Sequence, residues 1–276
     1  MSETATSIYI NGDIVTMDSS NRRCRALAVK GDRVMALGND EEIKSLATSK
    51  TQVVDLKGKT MFPGLIDPHG HFFISCYFNR FFVDLSSPPV GNITCLDDLL
   101  KKVKALADET PKGEWITGFG YDDTLLAEKR HPTRYDLDTV STEHPIALRH
   151  VSGHAMTVNS KALESGGITR DTPQPEGGHI QMDPATGDPL GVLEGGPAIS
   201  QVQDFLPDLT PENAREAVLH GSQRYLSTGT TTAQEGYSMP PFLDIFLSTA
   251  KGGQLKNRVH VLPGGNFPLD QYATAI

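Results

Sequence analysis

Cysteine, basic clusters and long apolar runs are scarce in this sequence. Its three cysteines, Cys24, Cys76 and Cys95, are an odd number without CxxC spacing, which argues against a disulfide framework and favours buried free thiols in a reducing compartment. No apolar run approaches the roughly 18 to 20 residues needed to cross a bilayer. Residues 1–6 are polar and lack the apolar core of a signal peptide. The sequence therefore predicts a cytoplasmic protein with no membrane partner.

Acidic residues outnumber basic ones. The chain has 25 Lys and Arg against 34 Asp and Glu, which gives a formal charge of −9, and no basic cluster is longer than pairs such as Lys101–Lys102. This pattern excludes the electrostatic footprint that nucleic acid requires. With 21% charged and 38% hydrophobic residues, the composition is typical of a globular α/β protein rather than a disordered one.

The first sixty residues are rich in short β-type runs. Asn11-Gly12, Lys30-Gly31-Asp32 and Lys57-Gly58 separate these runs and predict hairpin turns. The predicted strands are residues 8–10, 13–17, 26–29, 33–37 and 51–56. A small β-subdomain is therefore expected to come first.

After residues 62–64, strand-like and helix-like segments alternate, which is the pattern of βα units around a parallel sheet. Thr94 can cap a helix with an apolar stripe, and Thr210-Pro211-Glu212 is a strong helix start. Strands are predicted at residues 115–118, 145–148, 230–233 and 258–262, and a further helix at 242–250. Residues 177–194 indicate an inserted hairpin. We count about four or five βα-like units, whereas a closed barrel needs eight.

Two histidines stand two residues apart in the run from Met61 to Phe73. Residues 64–66 predict a buried strand start, and side chains two apart in a strand project to one side, roughly 6 to 7 Å apart. Neutral imidazole binds Zn²⁺, Fe²⁺, Mn²⁺ or Co²⁺, so His69 and His71 are candidate ligands of one divalent cation. The spacing alone is weak evidence for a metal site, because a chain with nine histidines can contain such a pair by chance.

The residues around this pair are more specific than its spacing. Residues 62–71 read Phe-Pro-Gly-Leu-Ile-Asp-Pro-His-Gly-His, which closely resembles the signature that opens the barrel of the amidohydrolase superfamily. Segments 115–122, 152–163 and 191–194 are similar to motifs of its amidohydrolase-3 branch, which includes YtcJ-like proteins and N-substituted formamide deformylases. The resemblance implies a partial (β/α)₈ TIM-like barrel over residues 63–276, after a β-sandwich portion over residues 1–62.

The resemblance also implies a metal-dependent hydrolase that uses activated water to cleave amide- or formamide-type carbon–nitrogen bonds in small molecules. His69 and His71 take the places of the first two metal ligands, with Zn²⁺ as the expected ion and Fe²⁺, Mn²⁺ or Co²⁺ as alternatives. Glu194 stands where this branch offers a carboxylate, in the role that a carboxylated lysine plays elsewhere. Alternatively, Glu194 ends the hairpin on a solvated face.

Three further residues are candidates for substrate binding. The family places a Gly-His near its pocket, so His154 is one candidate, and a structural histidine is the alternative. Trp115 and Asp122 are the others, although a single tryptophan is often a core residue. A helical metal pair of His150 and His154 is disfavoured because Val151-Ser152-Gly153 does not favour a helix. The histidines treated as structural or surface residues are His131, His144, His179, His220 and His260.

The sequence departs from the family in its length. Complete members are about twice as long and supply two further histidines and a proton-shuttling aspartate, which is expected beyond Ile276. A second hypothesis is therefore a truncated, non-catalytic fragment or interaction module, whose open sheet edge would favour pairing into a homo-oligomer. A third is another reaction in the same fold, such as deamination of a ring or hydrolysis of a phosphoester or lactone.

Overall fold

The computed structural model describes residues 4–264, and the chain forms two compact units. The first unit contains the residues up to Asp67 together with Gly229–Thr232, and the second contains Pro68–Thr228 and the residues from Ala233 onward. Both predicted segments reach beyond the described residues, the first by residues 1–3 and the second by residues 265–276. The architecture is mixed α/β with open sheets, which confirms the α/β part of the predicted fold class.

The first unit contains two small sheets. Its elements are β1 (Ser7–Ile10), β2 (Asp13–Val15), β3 (Arg23–Cys24), β4 (Ala26–Lys30), β5 (Arg33–Gly38), α1 (Asp40–Lys44), β6 (Gln52–Asp55), β7 (Thr60–Met61) and β8 (Leu65–Ile66). One sheet has the order β5-β4-β1-β6 and the other β3-β2-β7. Ile8, Ala26, Ala28 and Ile43 form the core beside the first sheet.

Only one of the three predicted hairpins in this region is present. Lys30-Gly31-Asp32 joins β4 to β5, which pair antiparallel. Asn11-Gly12 instead carries the chain from one sheet to the other, because β1 and β2 belong to different sheets. Lys57-Gly58 does the same between β6 and β7. The turn residues thus marked where strands end, but two of the three predicted hairpins are wrong because these turns do not connect paired strands.

The second unit is built around a six-stranded mixed sheet. Its elements are α2 (Phe72–Phe81), β9 (Val83–Asp84), α3 (Leu96–Glu109), β10 (Ile116–Tyr121), α4 (Arg134–Asp138), β11 (Ile146–His150), β12 (Ala155–Val158), α5 (Ser160–Ser165), β13 (His179–Met182), β14 (Pro189–Glu194), α6 (Gly196–Gln203), α7 (Pro211–Ser227), β15 (Thr230–Ser238), α8 (Pro240–Lys251) and β16 (Arg258–Pro263). β15 begins in the first unit and continues into the second. The sheet order is β13-β14-β12-β11-β10-β9. β9, β10 and β11 run parallel to one another. The pairs β11–β12, β12–β14 and β14–β13 are antiparallel.

This sheet changes the interpretation of the alternating pattern. The strands predicted at 115–118 and 145–148 are present, but they pair with each other. Within the described residues, the sheet that contains β8 has only three strands, in the order β16-β15-β8. The predicted strands and helices are therefore present, but within residues 4–264 the strands belong to separate open sheets. The predicted hairpin at 177–194 is confirmed as the antiparallel pair β13–β14.

Helices α2, α7 and α8 surround an apolar cluster in the second unit. The Thr210 hydroxyl accepts from the Asn213 amide at 3.1 Å, and Pro211 follows at the first helical position, so α7 begins as predicted. The cluster includes Phe72 and Cys76 of α2, small residues of α7 and Phe246 of α8. Among the described residues, no helix is both long and apolar enough to span a bilayer.

The three cysteines are free thiols. Only Cys76 is buried, whereas Cys24 and Cys95 are half-buried. Burial raises the pKa of the Cys76 thiol to about 12, and the neighbouring Glu235 carboxylate adds to this effect. Cys76 is therefore a packing residue.

Candidate metal centre and adjacent cavity

His69 and His71 lie in the loop between β8 and α2. β8 ends at Ile66, and His71 is the N-cap of α2. The ring centroids of the two histidines are 6.0 Å apart, with the planes inclined by 75°. Strand alternation does not cause this closeness, since β8 is only two residues long and both Leu65 and Ile66 are exposed. The predicted buried strand is thus wrong, although the two rings do lie near each other.

The His71 ring is held by the end of β15. Its Nδ1 lies 2.8 Å from the Gly236 carbonyl oxygen, and the Gly236 amide donates to the Gly70 carbonyl at 2.8 Å. Because a carbonyl only accepts, Nδ1 carries the hydrogen and the neutral ring keeps its lone pair on Nε2. A Cβ at Gly236 would lie 3.2 Å from His71 Cε1, so glycine permits this close approach.

Glu235, the residue before Gly236 in β15, binds the same loop. Its side chain is buried, and Oε2 accepts from the Phe73 amide at 2.5 Å, at the N-terminal end of α2 where a negative charge is favourable. Burial raises the pKa of Glu235 to about 7, against the opposing effects of the Phe73 amide and His71. Sequence analysis missed Glu235. Its position could be predicted only by knowing that β15 pairs parallel with β8, and the sequence does not show this pairing.

Glu194 is located at the end of β14, where its carboxylate accepts from His179 Nδ1 at 3.0 Å. This hydrogen bond is the largest of the effects that hold the pKa of Glu194 below its usual value. Within the described residues, His69, His71 and Glu194 do not form a group with ligand atoms within 4.8 Å of one another. The structure thus brings the two histidines together without bringing Glu194 to them.

A different group does satisfy that distance, namely Asp122, Asp123 and His150. Asp123 Oδ1 lies 3.0 Å from His150 Nε2 and 3.8 Å from His131 Nε2. The Ser152 amide donates to His150 Nδ1 at 3.1 Å, so a neutral His150 ring carries its hydrogen on Nε2, facing Asp123. Burial lowers the pKa of His150. His150 and Asp123 therefore form a histidine–carboxylate pair. Because Nε2 carries a hydrogen on the side of the two carboxylates, it offers no lone pair to a metal ion between them.

A cavity of about 850 Å³ opens beside His71. Of the three predicted substrate residues, only Trp115 lines it. Asp122 follows β10 and accepts from the backbone amide and hydroxyl of Thr124, and His154 is exposed just before β12. Many of the lining residues are aromatic, namely Tyr77, Phe78, Phe81, Phe82, Trp115, Phe119 and Phe242. Sequence analysis also missed Arg149, the cationic residue of this wall.

Comparison with known sequences gives consistent matches along most of the chain. The profile of the amidohydrolase family matches residues 52–274. An N-substituted formamide deformylase of Arthrobacter pascens is 31% identical over 94% of this chain and 47% of its own length. The YtcJ protein of Bacillus subtilis (strain 168) is 31% identical over 82% of this chain and 39% of its own length. The chain therefore spans about half the length of these relatives, or less.

Comparison with solved structures gives the same fold. An uncharacterized metal-dependent hydrolase from Pyrococcus horikoshii superposes with a TM-score of 0.67 at 22% identity, covering 97% of this chain and 50% of that one. A second one, from Pyrococcus furiosus, gives a TM-score of 0.64 at 23% identity. At this level of identity the superposition shows shared architecture only. Because the family profile covers more than half of the sequence, the chain belongs to the amidohydrolase family.

Proposed function

We propose that this chain is a metal-dependent hydrolase that cleaves carbon–nitrogen bonds of amide- or formamide-type small molecules with water. The observation that carries the proposal is His71, whose Nδ1 hydrogen is donated to the Gly236 carbonyl while its ring lies beside His69. The family match and the deformylase among the relatives support hydrolysis over a non-catalytic module.

The histidine pair suits a divalent cation by its donor chemistry. Metal-bound histidines usually donate their second ring N–H to a carbonyl or carboxylate, which fixes the tautomer, and His71 already does so. His69 and His71 would therefore hold the ion, with Zn²⁺ favoured and Fe²⁺, Mn²⁺ or Co²⁺ as alternatives. A bound ion would supply Lewis acidity and lower the pKa of water.

The residues around the pair position it and shape the space for a substrate. Glu235 and Gly236 bind the loop that carries both histidines, and the cavity beside His71 offers aromatic side chains against which an apolar part of a substrate would pack. For a formamide, the C–N bond breaks, water contributes the new C–O bond, and the nitrogen takes a proton to leave as an amine. Formate is the second product.

We also propose that β8, β15 and β16 are strands of an incomplete barrel over residues 63–276, after a β-sandwich portion over residues 1–62. The parallel β8–β15 pair and the position of the histidines after β8 support this arrangement, because barrel active sites lie at the carboxyl ends of the strands. The six-stranded sheet, with the hairpin 177–194, would then be an insertion between α2 and α7.

Metal content tests the ligand assignment. Wild-type chain, His69→Ala and His71→Ala would be loaded with Zn²⁺, separated from free ion by gel filtration and analysed by mass spectrometry for metal. We expect bound Zn²⁺ in the wild type and its loss in both variants. His220→Gln, in the middle of α7, is the matched control and should bind as the wild type does. A wild type that retains no ion, or variants that retain all of it, would refute the assignment.

Formate and amine release from N-substituted formamides tests the reaction itself. Equal amounts of both products, abolished by a chelator and restored by Zn²⁺, are expected from wild type but not from His71→Ala. Metal binding by the histidines without any release from such formamides or from N-acyl amines would refute the hydrolysis and leave the ligand assignment intact.

A further inference from the structure

Arg149 places a guanidinium group in the wall of the cavity beside His71. It is the last residue but one of β11. Its Nη1 donates to the Gly153 carbonyl at 3.3 Å and its Nη2 to the Gln203 side-chain oxygen at 2.7 Å. The guanidinium carbon also lies 5.8 Å from the centre of the Phe78 ring. Both hydrogen-bond acceptors are uncharged, so the positive charge is positioned without being neutralised.

No carboxylate of residues 4–264 forms an ion pair with this guanidinium. Other arginines of the unit do have such partners, for example Arg80 with Glu216 and Arg130 with Asp136. Burial lowers the pKa of Arg149, because its charge is partly removed from water. A half-buried cation that keeps unused N–H donors is a suitable partner for an anion, which its planar fork can bind through two hydrogen bonds.

The other charged groups of the cavity wall do not supply that anion. Asp204 and Asp208 also line the cavity, but both are exposed and neither forms an ion pair with Arg149. The wall also contains apolar side chains, namely Phe78, whose ring centre lies 5.8 Å from the guanidinium carbon, together with Phe119 and Trp115. The volume of about 850 Å³ falls within the range of small-molecule sites, which combine apolar walls with a few placed polar groups.

We propose that this cavity recognises substrates in which a carboxylate is joined to an aromatic or aliphatic group, and that Arg149 binds the carboxylate. This proposal rests on the proposed function, since His71, the proposed metal ligand, lines the same cavity. The substrate class is thereby narrowed to amides that carry a carboxylate and an apolar body. Arg149 sets specificity and takes no part in the bond cleavage.

The single tryptophan of the chain gives a direct measurement of binding. Trp115 is the only tryptophan in the sequence and lines the cavity, so a ligand that enters should change its fluorescence. The probes would be 4-phenylbutyrate and its neutral isostere 4-phenylbutyramide, titrated into metal-free protein at low and high salt. Since no metal and no turnover are needed, failure here is distinguishable from failure of the hydrolase proposal.

We expect saturable binding of the carboxylate with a Kd about tenfold or more below that of the amide, because charge-assisted hydrogen bonds are the stronger ones. Arg149→Met should abolish this preference, and Arg149→Lys, which keeps the charge but not the fork, should retain part of it. Arg33→Gln, an exposed arginine of the first unit, should bind as wild type does. No saturable response to the carboxylate, equal affinity for both probes in wild type, or an unchanged preference in a folded Arg149→Met chain would overturn the proposal.

Discussion

Gly221 offers a sharp test of how closely α2 and α7 pack. It lies in the interior of α7, where glycine is ordinarily unfavourable. A Cβ at this position would overlap Cys76 Sγ and would lie 2.8 Å from Cys76 Cβ and 3.2 Å from Phe72 Cζ. We therefore predict that Gly221→Ala destabilises the protein, although the same change in an open helix would stabilise it.

Two opposing effects set the magnitude. Replacing glycine by alanine in a helix interior gains about 1 kcal/mol. Overpacking a filled core costs about 1 to 3 kcal/mol, and the upper half of that range applies because Phe72 and Cys76 are almost fully buried. The expected net change is a loss of about 1 to 2 kcal/mol in the free energy of unfolding. Since His71 caps α2, displacement of α2 would also disturb the histidine pair.

Urea unfolding followed by circular dichroism measures this loss, and a double-mutant cycle assigns its cause. Cys76→Ala removes the sulfur that the new Cβ would overlap, so it should reduce the penalty of Gly221→Ala by about 1 kcal/mol. Gly196→Ala is the matched control, because no atom beyond its chain neighbours and the backbone of its own helix lies within 4 Å of the added Cβ; its effect should stay within about 0.5 kcal/mol. A Gly221→Ala chain as stable as wild type, or one uncoupled from Cys76→Ala, would refute the reasoning.

Three further predictions concern other buried or half-buried groups. Tyr121→Phe should lower the free energy of unfolding by about 1 to 3 kcal/mol, because the buried Thr157 hydroxyl loses its partner at 2.9 Å; no loss in urea titration would contradict this. Burial raises the pKa of Asp136, but hydrogen bonds that include those from Arg130 outweigh it and hold the pKa below its usual value. The stability that Asp136 contributes is therefore present above the unfolded pKa of about 4 and lost as pH falls, so Asp136→Asn should flatten the acid limb of a stability–pH curve. Because burial raises the pKa of Cys76 to about 12, this thiol should react with a disulfide reagent at pH 8 far more slowly than the other two cysteines, and three equal rates would contradict its burial.

Local structure was readable from the sequence wherever short-range chemistry determines it. Thr210 and Pro211 fixed the start of α7, and Lys30-Gly31-Asp32 fixed the β4–β5 hairpin. Strand partners were not readable, because the same alternation of strands and helices fits a barrel and a separate sheet. β10 therefore looked like a barrel strand, although it pairs with β9 and β11.

The site was predicted only as far as its motif extends. His69 and His71 were found because they are adjacent in sequence and lie in a specific signature. The supporting Glu235 is more than 160 residues away from Phe73, the residue whose amide it binds, and its place depends on the register of β15. Arg149 was missed for another reason, since its lack of an ion-pair partner within residues 4–264 is a property of the fold and leaves no trace in sequence.

The proposed metal ligands and most of the residues that select a substrate come from different segments of the chain. His71 follows β8, whereas Trp115 directly precedes β10 and Arg149 lies in β11, which are adjacent interior strands of the six-stranded sheet. The chain forms this sheet between α2 and α7. Replacements in that sheet can alter which molecule the cavity accommodates, while the loop that carries His69 and His71 stays unchanged. Evolution of new selectivity in such a chain would therefore be expected to change residues 83–209 first.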